Sequence, residues 1–102
     1  MKSSKSSCGV ENTLRIVGAK WTLLILHNLC DGKRRFGQLQ KALLGISPRT
    51  LSLRLHQLEK DGFVTKKIFS EVPLRVEYTL TPKGQSIKSV INTMKKWGLS
   101  RE

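Results

Sequence analysis

The sequence predicts a mainly α-helical domain carrying one small β-hairpin, on three observations. Apolar residues recur at helical spacing through most of the 102 residues, while two segments, 64–69 and 76–80, alternate with period two instead. A capping hydroxyl followed by proline, a helix-opening signal, occurs twice, at Ser47-Pro48 and Thr81-Pro82. The resulting order is helix, helix, helix-turn-helix, hairpin, helix. That is the order of a winged helix-turn-helix domain, in which the second helix of the motif enters the major groove of DNA.

At this length one domain is expected, large enough for a single core and short enough to gain from a partner subunit. The apolar fraction of 38% suits a globular fold. The longest apolar run, Leu23-Leu24-Ile25-Leu26, falls far short of the ~20 residues that span a bilayer, which excludes a transmembrane helix of that kind. Residues 1–7 carry lysines but no apolar stretch, so they read as a disordered tail and not as a secretory signal. This leaves residues 8–102 as one domain, expected in the cytoplasm.

Val10, Leu14 and Val17 space a short first helix that Gly18 ends. Residues 20–30 are apolar on most sides, as in a helix buried in the middle of a domain, and Asp31-Gly32 closes it. Phe36, Leu39, Leu43 and Leu44 space a third helix. In the fourth, Leu51, Leu55 and Leu58 recur at i, i+4, i+7 and form one stripe that must face a core, until Gly62 ends it. Val64, Lys66 and Ile68 alternate with Thr65, Lys67 and Phe69, and Val76, Tyr78 and Leu80 with Glu77 and Thr79, giving the two hairpin strands. Their connection contains Pro73 and is too long for a two-residue turn, so an extended, exposed wing is expected. Thr81-Pro82 opens a single last helix through Trp97.

Charge narrows the function. Nineteen Lys and Arg against seven Asp and Glu give +12, which attracts phosphate backbones or anionic lipid. No acid lies between Asp31 and Glu59, whereas Lys33, Arg34, Arg35, Lys41, Arg49 and Arg54 do. On the fourth helix, opposite the leucine stripe, lie Arg49, Leu53, His56 and Lys60, flanked by Thr50 and Gln57. Arg and Gln can donate to base acceptors and an exposed Leu can meet a thymine methyl, so Arg49, Thr50, Leu53, His56 and Gln57 are the candidate base readers. Ser47, Arg54 and Lys60 are candidates for the DNA backbone. Lys33, Arg34 and Arg35, expected at the start of the third helix, would join free helix N–H groups in holding a phosphate. Lys66, Lys67 and Arg75 flank the wing and would reach the adjacent backbone or minor groove, although basic edge strands also defend against aggregation.

The motifs V-G-A-K-W-T-L-L-I-L-H-N-L, G-K-R-R-F-G-Q-L, L-L-G-I-S-P-R-T-L-S-L-R-L, L-E-K-D-G-F-V and V-P-L-R-V-E-Y-T-L-T-P-K-G together resemble the HxlR family of bacterial transcriptional regulators, loosely related to the MarR group. The resemblance covers nearly the whole chain, residues 8–98. It implies a homodimer that binds pseudo-palindromic operator DNA, with residues 47–60 as recognition helix and 69–76 as wing. It also implies dimerisation through the first and last helices, on which Val10 and Leu14, and Ile87, Val90, Ile91, Met94 and Trp97, form apolar faces. Gln38 stands where the family usually has Glu, and Gly9 follows Cys8 where Pro is common.

Cys8 and Cys30 form neither a disulfide framework nor, with only two histidines, a zinc site. Cys30 ends an apolar helix and reads as core packing. Cys8 lies near Lys5, just before a helix N-terminus, conditions that favour thiolate. The resemblance implies sensing of an oxidant or electrophile there; an inert, partly exposed thiol is the plainer alternative. No nucleophile-base or paired-carboxylate arrangement can be drawn around His27 or His56, so no enzyme activity, cofactor or metal is expected. The other classes left open are a sequence-independent nucleic-acid-binding winged helix, of nucleoid or RNA-binding type, and a winged helix used only for protein assembly.

Overall fold

A computed structural model describes residues 9–17 and 20–101. Its elements are α1 (Gly9–Val17), α2 (Lys20–Leu29), β1 (Arg34–Arg35), α3 (Phe36–Ala42), α4 (Pro48–Lys60), β2 (Val64–Phe69), β3 (Arg75–Leu80), α5 (Pro82–Gln85) and α6 (Lys88–Ser100). Cys8 and Gly18 lie outside the described residues.

The leucine stripe of α4 turns inward as its spacing requires: Leu51, Leu55 and Leu58 are essentially inaccessible and meet Ile25, Leu26 and Leu29 of α2 in one core. Full burial of each such side chain stabilises by ~1.5–3 kcal/mol, so the α2–α4 contact holds the recognition element in place. The start of α4 is fixed locally, with Ser47 Oγ accepting from Thr50 N at 3.0 Å and Pro48 in the first turn. Its end is fixed by Gly62, whose φ of +85° few other residues adopt.

Three features depart from what the sequence spacing predicts. Arg34 and Arg35 do more than lead into α3, although Arg35 is its N-cap and donates its backbone N–H to Gln38 Oε1 at 2.8 Å. They form a two-residue strand on the free edge of the hairpin, pairing Arg34 with Tyr78 and Arg35 with Glu77, so the sheet order is β1-β3-β2. Two residues are too short for a period, and only the open edge of β3 selects them. Leu44 lies beyond the end of α3, in the turn, and is exposed. Finally, the last helix is broken into α5 and α6. Ser86 Oγ donates to Lys83 O, and Ser86 N and Ile87 N bond three residues back, tightening the chain through residues 86–87. That turn carries Ile87 into the core, followed one helical turn later by Ile91. The hairpin register, Val64 opposite Leu80 through Phe69 opposite Arg75, places Val64, Tyr78 and Leu80 on the core side.

Candidate nucleic-acid interface

With the leucine stripe buried, α4 presents Arg49, Leu53, Arg54, His56, Gln57 and Lys60 to solvent. Leu53 is 60% exposed, an apolar group on an otherwise polar face that contributes nothing to the domain's own core. Thr50 is half-buried, and its Oγ1 accepts from Ser47 Oγ at 3.0 Å, so both hydroxyls belong to the cap. Gln57 Nε2 donates to both carboxylate oxygens of Asp61 at 3.2 Å. Arg49, Leu53 and His56 are therefore the candidate readers with no side-chain hydrogen bond to give up.

The basic residues divide in the same way. Arg35, Arg54 and Lys60 are exposed, and Arg34 Nη1 donates to the carbonyl of Lys33. Lys33 Nζ lies 3.7 Å from Glu77, and Lys66 Nζ lies 3.9 Å from Glu59. Among the described residues each lysine makes only this one long contact and keeps its own side chain partly in water, so both can turn to a phosphate at small cost. Lys67 Nζ sits 5.1 Å from the Phe69 ring centre, and Arg75 stacks on the same ring at 3.9 Å. Arg75 also faces Glu71 at 3.1 Å and Glu77 at 3.5 Å. Counting charge along the chain missed this use of acids. Period two does place Arg75 and Glu77 on one face of β3, but Glu71 comes from the loop.

Surface grooves border these residues. One of about 570 Å³ runs between α3 and the wing, with Phe36, Leu74 and Val76 in its wall and Arg35 and Lys41 among its polar lining. A smaller one, about 210 Å³, is lined by Lys33, Arg34, Arg35, Gln38 and Glu77.

On the outside of the terminal helices, Val10 and Leu14 of α1 are exposed, as are Val90, Met94, Trp97 and Leu99 of α6. Ile87 and Ile91 are not part of that outer face. They pack within the domain, so the free apolar surface is narrower than helical spacing alone suggests. Between α2 and α6 an apolar groove of about 260 Å³ lies among Leu23, Leu24, His27, Ile91, Met94 and Lys95.

Cys30 sits just past α2, half-buried, with Sγ donating to Leu26 O at 3.3 Å. Burial pushes its thiol up, against a smaller opposing pull from Lys88. Cys8 lies outside the described residues. Among those described, no three His, Cys, Asp or Glu side chains group as a metal would require, and no helix is long and apolar enough to cross a membrane.

The geometry agrees with that of known regulators. HTH-type transcriptional regulator YdeP of Bacillus subtilis is 44% identical over 91 residues, which are 89% of this chain and 71% of that protein. A crystal structure from Porphyromonas gingivalis W83, assigned to the MarR family of transcriptional regulators, superposes with a TM-score of 0.88 at 38% identity, covering 97% of each chain. Redox regulator HypR in its oxidised form superposes at 0.84 with 39% identity, covering 91% of this chain and 96% of HypR. Residues 16–101 match the HxlR-like helix-turn-helix family as a whole. The winged fold, the capped helix with its acid-free outer face and these matches agree, and the chain belongs to the HxlR-like helix-turn-helix family of transcriptional regulators.

Proposed function

We propose that the protein regulates transcription in the cytoplasm by binding pseudo-palindromic operator DNA as a homodimer, and that it is not an enzyme. The observation that carries this reading is the outer face of α4: Arg49, Leu53 and His56 project from a helix whose other side is locked into the core. An α-helix fits the major groove, where Arg can pair with guanine and Leu can meet thymine methyl. Arg34, Arg35, Arg54, Lys60 and Lys67, with Lys33 and Lys66 recruited from their loose ion pairs, supply phosphate contacts. Dimerisation uses the outer apolar side chains of α1 and α6, which the domain's own core leaves exposed.

The test selects duplexes from a random pool with purified protein and measures sedimentation with and without the selected site. Two inverted half-sites about one helical turn (~34 Å) apart, bound by a dimer, are expected. Equal affinity for every duplex would favour a sequence-independent DNA-compacting protein and refute the regulator reading.

A second layer is supported by likeness to HypR, a redox regulator. In this reading Cys8 senses an oxidant or electrophile and alters DNA affinity by shifting one subunit against the other. A modification that favours one arrangement by ~1.4 kcal/mol shifts the equilibrium about tenfold. Operator binding before and after diamide or a quinone tests it: Cys8→Ser should bind normally and ignore the treatment, while Cys30→Ser should still respond unless the two thiols pair across the dimer. An unchanged response in Cys8→Ser rules the sensor out.

A further inference from the structure

We infer that Arg75 is a positioning residue that sets the shape of the wing, and not a phosphate contact; this rests on the DNA-binding reading above. Arg75 and Phe69 are the last paired residues of the hairpin before the wing loop. The guanidinium stacks on the Phe69 ring at 3.9 Å, meets Glu71 of the loop through Nη2 at 3.1 Å, and faces Glu77 through Nε at 3.5 Å. Nε is shut off from water and has no hydrogen-bond geometry toward any partner. The side chains of Arg75 and Glu77 are only 25% and 13% exposed. One planar cation thus binds the near strand, the facing strand and the loop together. Two of its nitrogens already face carboxylates and its plane already covers a ring.

Lys33 makes the contrast. Its single contact to Glu77 is longer, at 3.7 Å, and its side chain is 68% exposed, so it is free to leave. Within the loop, residues 70–74 carry no cation at all. The wing's charge toward DNA therefore comes from Lys66 and Lys67, held within the β2–β3 ladder, while the loop that Arg75 braces sets the shape the wing tip offers to a groove whose width varies with sequence. Its planar fork suits two acids and a ring face together, which a lysine ammonium cannot match.

The experiment measures binding of the intact protein to a selected operator and to a random duplex across salt concentrations, for wild type, Arg75→Gln, Arg75→Lys, Glu77→Gln and Arg34→Gln. Loss of one phosphate contact lowers the salt slope by about one, which Arg34→Gln should show and Arg75→Gln should not. Arg75→Gln should instead lower the operator-to-random ratio about tenfold, the size of one lost base contact. Arg75→Lys should not restore it, and Glu77→Gln should lower it too. A slope reduced by about one in Arg75→Gln with the ratio intact would overturn the inference, as would no change in either quantity. Should Arg75→Gln fail to fold, Glu77→Gln still decides. Mere removal of a repelling charge would raise both affinities equally and overturn the positioning role, whereas a fallen ratio supports it. If the wild type shows no operator preference, the regulator reading fails, yet the salt slope on random DNA still tells whether Arg75 contacts phosphate.

Discussion

Gly84 lies so close to the carbonyl oxygen of Phe63 that a β-carbon there would overlap it, and Leu80 Cδ2 stands 3.0 Å from the same point. This contact belongs to a joint between the end of α4 and the start of α5. Thr81 Oγ1 donates to Gly62 O at 2.5 Å and accepts from Gly84 N at 3.0 Å, while Thr81 N donates to Phe63 O at 3.0 Å. Lys83 Nζ reaches Asp61 O at 2.9 Å and lies over the Phe63 ring. The helix that presents the readers is thereby tied to the segment that leads into α6.

Gly84→Ala should destabilise the domain by about 1–3 kcal/mol, because backbone cannot yield as a side chain would. Alanine's ~1 kcal/mol advantage inside a helix is outweighed here. Urea unfolding gives the comparison, and an unchanged midpoint would mean that the joint has room to spare.

Arg49→Ala and Arg34→Ala should weaken DNA binding differently. Losing a bidentate base contact should cost ~1–3 kcal/mol on the operator and much less on random DNA, while losing a phosphate contact weakens both alike. Anisotropy titrations on both duplexes separate the two, and parallel losses for Arg49→Ala would remove it from the readers.

Met94→Asp should yield a folded monomer with much weaker operator binding. Met94 is 48% exposed at the edge of the groove between α2 and α6, so a carboxylate there still reaches water in the single domain and not in an apolar seam. Sedimentation at micromolar concentration tests this; a wild-type monomer that binds one half-site tightly contradicts the seam.

Stability should fall as pH rises through the thiol and phenol ranges. Burial pushes up both Cys30, aided by Asp31 and opposed by Lys88, and Tyr78, aided by Glu59. Each folded-state group holds its proton to higher pH than in the unfolded chain. The associated stability is complete below the ordinary range and is lost as pH climbs through the raised one. Cys30→Ser and Tyr78→Phe should flatten the alkaline limb of a denaturation-versus-pH curve. A limb of unaltered steepness in the double variant would assign the loss to other groups.

The sequence by itself determined the elements whose causes are local. Ser47-Pro48, the 51-55-58 leucine stripe and Gly62 define α4 almost to the residue, because a cap, a helical period and a left-handed turn each act within a few positions. The alternation of Val76, Tyr78 and Leu80 likewise defined β3 and its buried side. Only the tertiary structure decided that Arg34 and Arg35 form an edge strand, that Ile87 and Ile91 serve the domain core, and that Arg75 belongs to Phe69, Glu71 and Glu77. Each of those outcomes depends on which distant or loop-borne group a side chain meets. Pairing register and the packing of Gly84 on Phe63 choose that partner, and neither leaves a period in the chain.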